Sequence, residues 1–484
     1  MNFLKRRMIG LLAGFLIISV QCASAGSLPH PGSYIPSTST IEKYKKGLDD
    51  PRSMFDSPLD LKNILPPEIL DKVTYDVEKM KIAWPEVVQF KAPEVVGKVA
   101  PEIKPGKYTY QDLKKYPGFK ELIIPERYDR IKPGEPPHAL NIPEFNIIPT
   151  RQLYLSLPVA EACKSNMGKT KLDENGYLIT DTLAPGIPFP RPSGKFMGNQ
   201  IVYNWKHRYN QWGVNVGGVL KVVGITKNLT VDYNGYLLEN AARLTNRVLM
   251  PPYDWYDKRA EKRKEHYALH WFFPSPRDVA GTARTSLTYL NPNTADQNLM
   301  YIPSMRRVRK MSATDTQDPV MGQDTIYDDT EVFWQKLSPN KYPYKITVEA
   351  REYLVPITFD GKAYVDSKDF AWRNVTMERR PIYRVEMEQQ DANYVYGKRV
   401  LYIDMETFDL WFTANYDQQG RLYRTTEVAW SFLPEMGVSS YFNIHYNMHD
   451  HIDLHTTFCL IWQAPAFWDV RKDMGMATIV RNAK

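Results

Sequence analysis

The chain has 484 residues, with 62 Lys and Arg against 55 Asp and Glu and a formal net charge of +7. Three cations, Lys5, Arg6 and Arg7, account for part of that excess, so the rest carries only +4 (7 − 3), too weak and dispersed a charge for a nucleic-acid partner. Mean hydropathy is −0.45, and after the N-terminus no apolar run approaches the ~20 residues that span a bilayer, which argues against an integral helical membrane protein.

Residues 1–25 read as an export signal. Lys5, Arg6 and Arg7 form its charged region, Ile9 to Val20 its apolar region, and Ala23-Ser24-Ala25 its small-residue cleavage site. Cleavage there predicts an exported mature chain beginning at Gly26, in an oxidising compartment. Gln21 stands where lipoprotein processing at Cys22 needs a small residue.

Residues 26–150 hold 18 of the 36 prolines, which break long helices and remove ladder donors from strands. We therefore expect an arm with short helices, among them Tyr110 to Tyr116 and one beginning at Pro125. Pro85-Glu86-Val87-Val88, Pro93-Glu94-Val95-Val96 and Pro101-Glu102-Ile103 recur every eight residues. That spacing predicts an extended strap or a stiff linker.

Residues 151–484 read as one β domain. A helix follows Ser156, with Pro158 in its first turn, and stops at Gly168. Expected strands are Gly218 to Gly224, His266 to Phe273, Arg284 to Leu290, Leu299 to Ile302, Lys345 to Leu354, Ile382 to Glu388, Arg399 to Ile403, Leu410 to Tyr416, Leu422 to Trp430 and Ile452 to Trp462. Short turn-rich connections such as Asp417-Gln418-Gln419-Gly420 make neighbours antiparallel and predict a curved meander, so the fold class is mainly β with some helix.

Two features of this domain point to an amphiphile. Tyr301 lies in an apolar strand, ended by Pro303, that runs into Arg306, Arg307, Arg309 and Lys310, a pattern suited to a positively charged lip or to a solvated surface strand. Tyr402, Trp411 and Tyr423 belong to an aromatic-dense stretch that either fills a core or lines an apolar pocket. The remaining cysteines, Cys163 and Cys459, form a disulfide or stay as buried thiols.

His445, His449, His451 and His455 share parity, so on one strand they project from one face, as zinc or copper ligands or as a wet polar edge. The sequence holds no nucleophile elbow, zinc-protease helix or paired-cysteine motif. Met167-Gly168-Lys169-Thr170 ends like a phosphate-binding loop, but Cys163 replaces its first glycine. No cofactor is expected.

Gly186-Ile187-Pro188-Phe189-Pro190, Pro276 to Thr282, Met300 to Lys310, Gln323-Asp324 with Tyr327-Asp328-Asp329, Tyr396 to Asp404 and Tyr416 to Arg424 occur in this order. Over roughly residues 150 to 435 this series resembles the domain-of-unknown-function 1329 family, which is similar to outer-membrane lipoprotein-sorting proteins of the LolA and LolB type. The resemblance implies a curved antiparallel half-barrel covered by short helices, enclosing an apolar cavity, in a periplasmic or outer-membrane-associated protein. It also implies a lipid or acyl-chain ligand, peripheral membrane contact, and an outer-membrane protein or lipid-exporting pump as partner.

The leading expectation is a non-enzymatic carrier or chaperone for a lipophilic molecule. Two other classes are an envelope interaction protein whose arm docks on a transport assembly, and a secreted metal-dependent enzyme built on the histidines.

Overall fold

A computed structural model describes residues 67–133, 139–209, 215–312, 315–358, 363–465 and 470–473. The expected export signal, with Cys22 and the expected cleavage site, lies outside the described residues.

The strands are β1 (Gly106–Thr109), β2 (Glu144–Ile148), β3 (Asn215–Ile225), β4 (Val231–Arg243), β5 (Glu265–Ser275), β6 (Thr282–Tyr289), β7 (Gln297–Ile302), β8 (Arg307–Lys310) and β9 (Tyr344–Ile357). They continue with β10 (Tyr364–Val365), β11 (Trp372–Arg373), β12 (Val375–Gln389), β13 (Lys398–Asp404), β14 (Leu410–Tyr416), β15 (Leu422–Leu433), β16 (Val438–Asp450) and β17 (His455–Pro465). The helices are α1 (Pro67–Val73), α2 (Val77–Val88), α3 (Asp112–Lys115), α4 (Phe119–Leu122), α5 (Pro125–Tyr128), α6 (Leu157–Asn166), α7 (Met197–Lys206), α8 (Lys258–Arg263) and α9 (Val470–Asp473).

Fifteen strands form one curved sheet in the order β1-β2-β12-β13-β14-β15-β16-β17-β3-β4-β5-β6-β7-β8, with β9 beside β12 and touching β15. The meander from β12 through β17 and on from β3 to β8 is antiparallel, as expected. The sheet is nevertheless mixed: β2 runs parallel to β12, and Trp430 on β15 makes a parallel bridge to Ile357 on β9.

The N-terminal segment is built into this sheet. Amphipathic α2 sinks Met80, Trp84 and Val87 into the main core, although Pro85 stands inside it. Proline cannot donate to the carbonyl four residues back. That carbonyl, of Lys81, instead accepts from the Gln152 side chain at 2.7 Å. The first Pro-Glu-Val repeat is thus helical rather than an extended strap, because a distant side chain satisfies what proline leaves open.

Two arginines of β12 clamp the segment. Arg380 is fully buried among Glu378, Asp404 and Glu406 at 2.7 to 3.1 Å. Glu406 in turn accepts from the backbone N–H of Ala92 at 2.7 Å and of Leu153 at 2.8 Å. Arg379 pairs with Glu352 and donates to the carbonyls of Val99, Ala100 and Ile103. A second core, including Phe119, Leu122, Phe145, Met377 and Ala429, seals the segment between α3 and β2 against the sheet.

Candidate functional site

The sheet encloses an apolar cavity of about 90 Å³. Alternation along each strand aims Leu220 and Val222 of β3, Trp271 and Phe273 of β5, Tyr446 and Met448 of β16, and Cys459 and Ile461 of β17 into it. Val320 and Met321 line it from outside the sheet.

Those two residues belong to a strap, residues 319–331, that crosses the open side of the sheet between β8 and β9. A bridge between Pro319 and Ile326 folds it on itself. At one end Asp324 Oδ2 accepts from Thr457 Oγ1 at 2.8 Å and from His455 Nδ1 at 2.7 Å. At the other, Asp329 accepts from Arg399 at 2.5 Å and from Tyr396 at 2.8 Å, and Asp328 accepts from Tyr394 at 2.9 Å. Burial pushes the Asp328 carboxyl up to about 7 despite the nearby Arg399.

The strap is also strained. Met321 and Gly322 have φ of 52° and 75°, and Glu331 and Val332 have φ of 52° and 72°. Left-handed backbone at a β-branched residue costs on the order of 1–3 kcal/mol. The Val332 N–H is held in place by the Tyr446 hydroxyl at 2.5 Å. Gln323-Asp324, Tyr327-Asp328-Asp329 and the start of the Tyr396 run, noticed first as motifs, are therefore the fastenings of one cover. Gly186 is explained separately: at φ 110° a Cβ would fall 2.9 Å from the Cys163 backbone nitrogen.

The structure distributes the sequence-predicted site residues differently from the sequence reading. Arg306, Arg307, Arg309 and Lys310 are exposed on and beside β8, the last strand of the sheet. Neither they nor Tyr301 line the cavity, which sits further in against β3, β4, β5, β16 and β17. A charged end strand also deters edge-to-edge pairing with another chain.

Tyr402 and Trp411 are fully buried in the core, where Tyr402 donates to Glu126 at 2.8 Å and Trp411 to Asp404 at 3.3 Å. Tyr423 packs at 5.9 Å from the Tyr396 ring, away from the cavity. These aromatics pack a core rather than line the pocket.

Cys163 and Cys459 are both buried free thiols. Cys163 Sγ accepts from the Ile187 N–H at 3.1 Å, while Cys459 lies on the cavity wall; burial pushes both thiols up to about 12.

The histidines do not share a strand face, because β16 ends at Asp450 and the chain turns before β17. His449 contacts Thr456 at 2.7 Å on the outer face, beside the His451 ring at 4.6 Å, and His451 reaches Thr425 at 3.1 Å. Burial and then Arg130 hold both imidazoles below their ordinary range. His455 faces the strap, and its bonds to Asp324 and Asp232 raise it to about 9. His445 pairs with Ala429 across the ladder, and its side chain lies outside the described ones. Among the described residues no three His, Cys, Asp or Glu side chains converge as metal ligands.

A family model for a protein of unknown function, DUF1329, matches residues 111–474. The chain belongs to the DUF1329 family. Uncharacterized protein PA3922 of Pseudomonas aeruginosa is 24% identical over 318 residues, spanning 62% of this chain and 66% of that protein, just under two thirds of its length. Among solved structures, a domain from Vibrio parahaemolyticus named as an outer membrane lipoprotein-sorting protein is similar, with TM-score 0.40, 16% identity, and coverage of 58% of this chain and 97% of that one. A DUF1329 family protein from Desulfovibrio piger is similar with TM-score 0.39, 13% identity, and coverage of 55% and 91%.

The cavity residues of this DUF1329 chain escaped the sequence reading, yet a signal for them existed. Val222, Cys459 and Ile461 alternate with outward residues inside strands that were expected.

Proposed function

We propose that this protein is a non-enzymatic carrier of a lipophilic small molecule in the periplasm or at the outer membrane. The apolar cavity beneath a doubly fastened strap supports the reading most directly. Its space, about 90 Å³, is room for about three water-sized groups at ~30 Å³ each. A longer chain therefore needs more room than this, which lifting the strap supplies, and the strained residues of the cover favour such opening. The export signal supports the compartment, and release to a membrane partner is the natural second half of the task.

Native mass spectrometry of untagged protein taken gently from periplasm, with organic extraction, tests the proposal. The expected result is one apolar molecule per chain. Ligand-free protein that also fails to take up a fluorescent apolar probe overturns it.

A further inference from the structure

A second, polar chamber of about 40 Å³ opens beside the apolar cavity. Lys206, Arg208, Arg243 and Lys336 bring four cations to it, against the carboxylates of Asp296 and Glu331. Arg208 pairs with Glu331 at 2.9 Å and Lys336 with Asp296 at 2.8 Å. Lys206 and Arg243 form no ion pair among the described residues, although Glu331 lies near enough to act on both and Asp296 on Lys206. Arg243 is 5% exposed. One of its nitrogens donates to the Arg208 carbonyl, while Nε and Nη1 are buried with no partner. Lys206, at the end of α7, donates to the Trp334 carbonyl.

Burying Arg243 with two unpartnered nitrogens is costly, and burial and then Arg208 lower half-buried Lys206 to about 7, so an anion in the chamber favours its charged form. Folds keep such groups where an anion completes them.

The two chambers adjoin. Glu331, at the strained end of the strap, lines both. On β4 and β5, Glu239 lies opposite Trp271 at the apolar cavity, and Arg243 lies opposite Tyr267 at the polar one. Four residues of strand separate these rows, about 13 Å at ~3.3 Å per residue, with only Ala241 and Leu269 between on that face.

We propose that the chamber bounded by Lys206, Arg208, Arg243 and Lys336 binds the head of an anionic amphiphile, a carboxylate or phosphate ester whose apolar chain lies in the neighbouring cavity. This assignment rests on the carrier reading and adds the ligand's charge to it. The head replaces the missing partner of Arg243 and competes with Glu331 for Arg208, so loading from this side loosens the strap.

The test is calorimetry with dodecanoate, dodecyl phosphate and dodecanol on the mature protein, on Lys206→Met and on Arg243→Met. We expect both anions to bind the unaltered protein at least tenfold tighter than the alcohol, and each substitution to cut that ratio at least threefold. Equal affinity for all three ligands overturns the head site and leaves the carrier reading standing, whereas no binding of any of them removes the carrier reading itself. Inorganic phosphate that competes as well as dodecyl phosphate would mark a free-anion site and overturn the amphiphile. The three-ligand comparison on the unaltered protein decides the matter even if a variant fails to fold.

Discussion

Replacing Cys459 by Phe separates a binding cavity from a packing defect. Cys459 stands between Tyr446 on β16 and Val222 on β3 in one cross-strand row on the cavity wall. A benzyl group there projects into the space of about 90 Å³. At ~24 cal/mol per Å³ of empty cavity, filling it is worth up to about 2 kcal/mol. Crowding against Tyr446 and Val222 takes back roughly 1 kcal/mol or more. The expected variant is therefore as stable as the parent or slightly more so, and takes up a fluorescent apolar probe at least tenfold more weakly. Urea unfolding of ligand-free protein and probe titration are the assays. Unchanged probe affinity at unchanged stability would refute the reasoning, since the ligand would then occupy another part of the molecule.

Arg399→Met removes the partner of Asp329 at the buried end of the strap, and should cost about 3–5 kcal/mol in chemical unfolding. His455 has a raised folded value, so its contribution is complete below its ordinary 6.5 and fades as pH climbs through about 9. Probe uptake should accordingly quicken across that upper range, and His455→Gln should abolish the pH dependence. Reversing Arg306, Arg307 and Arg309 to Glu should slow uptake of an anionic probe a few-fold at low salt, leave it unchanged at high salt, and leave the melting temperature alone. Because the histidines separate onto both faces of the sheet, a chelator should shift neither the melting temperature nor probe affinity.

Much of the sheet was legible in the sequence. Leu410–Tyr416 was delimited as it stands, and β5, β7 and β13 were displaced by only a residue or two at their ends. What failed was governed by partners remote in sequence. β4 and β16 contain Asn, Asp, Gly and Ser residues that lower strand propensity, and flanking strands on both sides outweigh it. α2 was missed because Pro85 reads as a helix breaker until Gln152 is seen on Lys81. The four histidines misled because shared parity has meaning only within one strand, and Ile452 to Leu454 turn the chain between them. The motifs located the strap fastenings, whereas the polar chamber draws Lys206, Arg243 and Lys336 from separate elements and has no linear signature.

The clamp between the N-terminal segment and β12 to β14 fixes the order of biogenesis. Ala92 waits for Glu406, 314 residues later in the chain, which at roughly 5–20 residues per second is about 15 to 60 seconds of synthesis. Until then α2 has no surface on which to bury Met80, Trp84 and Val87, and no nascent chain stopping short of β13 can complete the core. Contacts of such long sequence separation form slowly. Truncations ahead of residue 406 should therefore accumulate as aggregates rather than as folded N-terminal fragments.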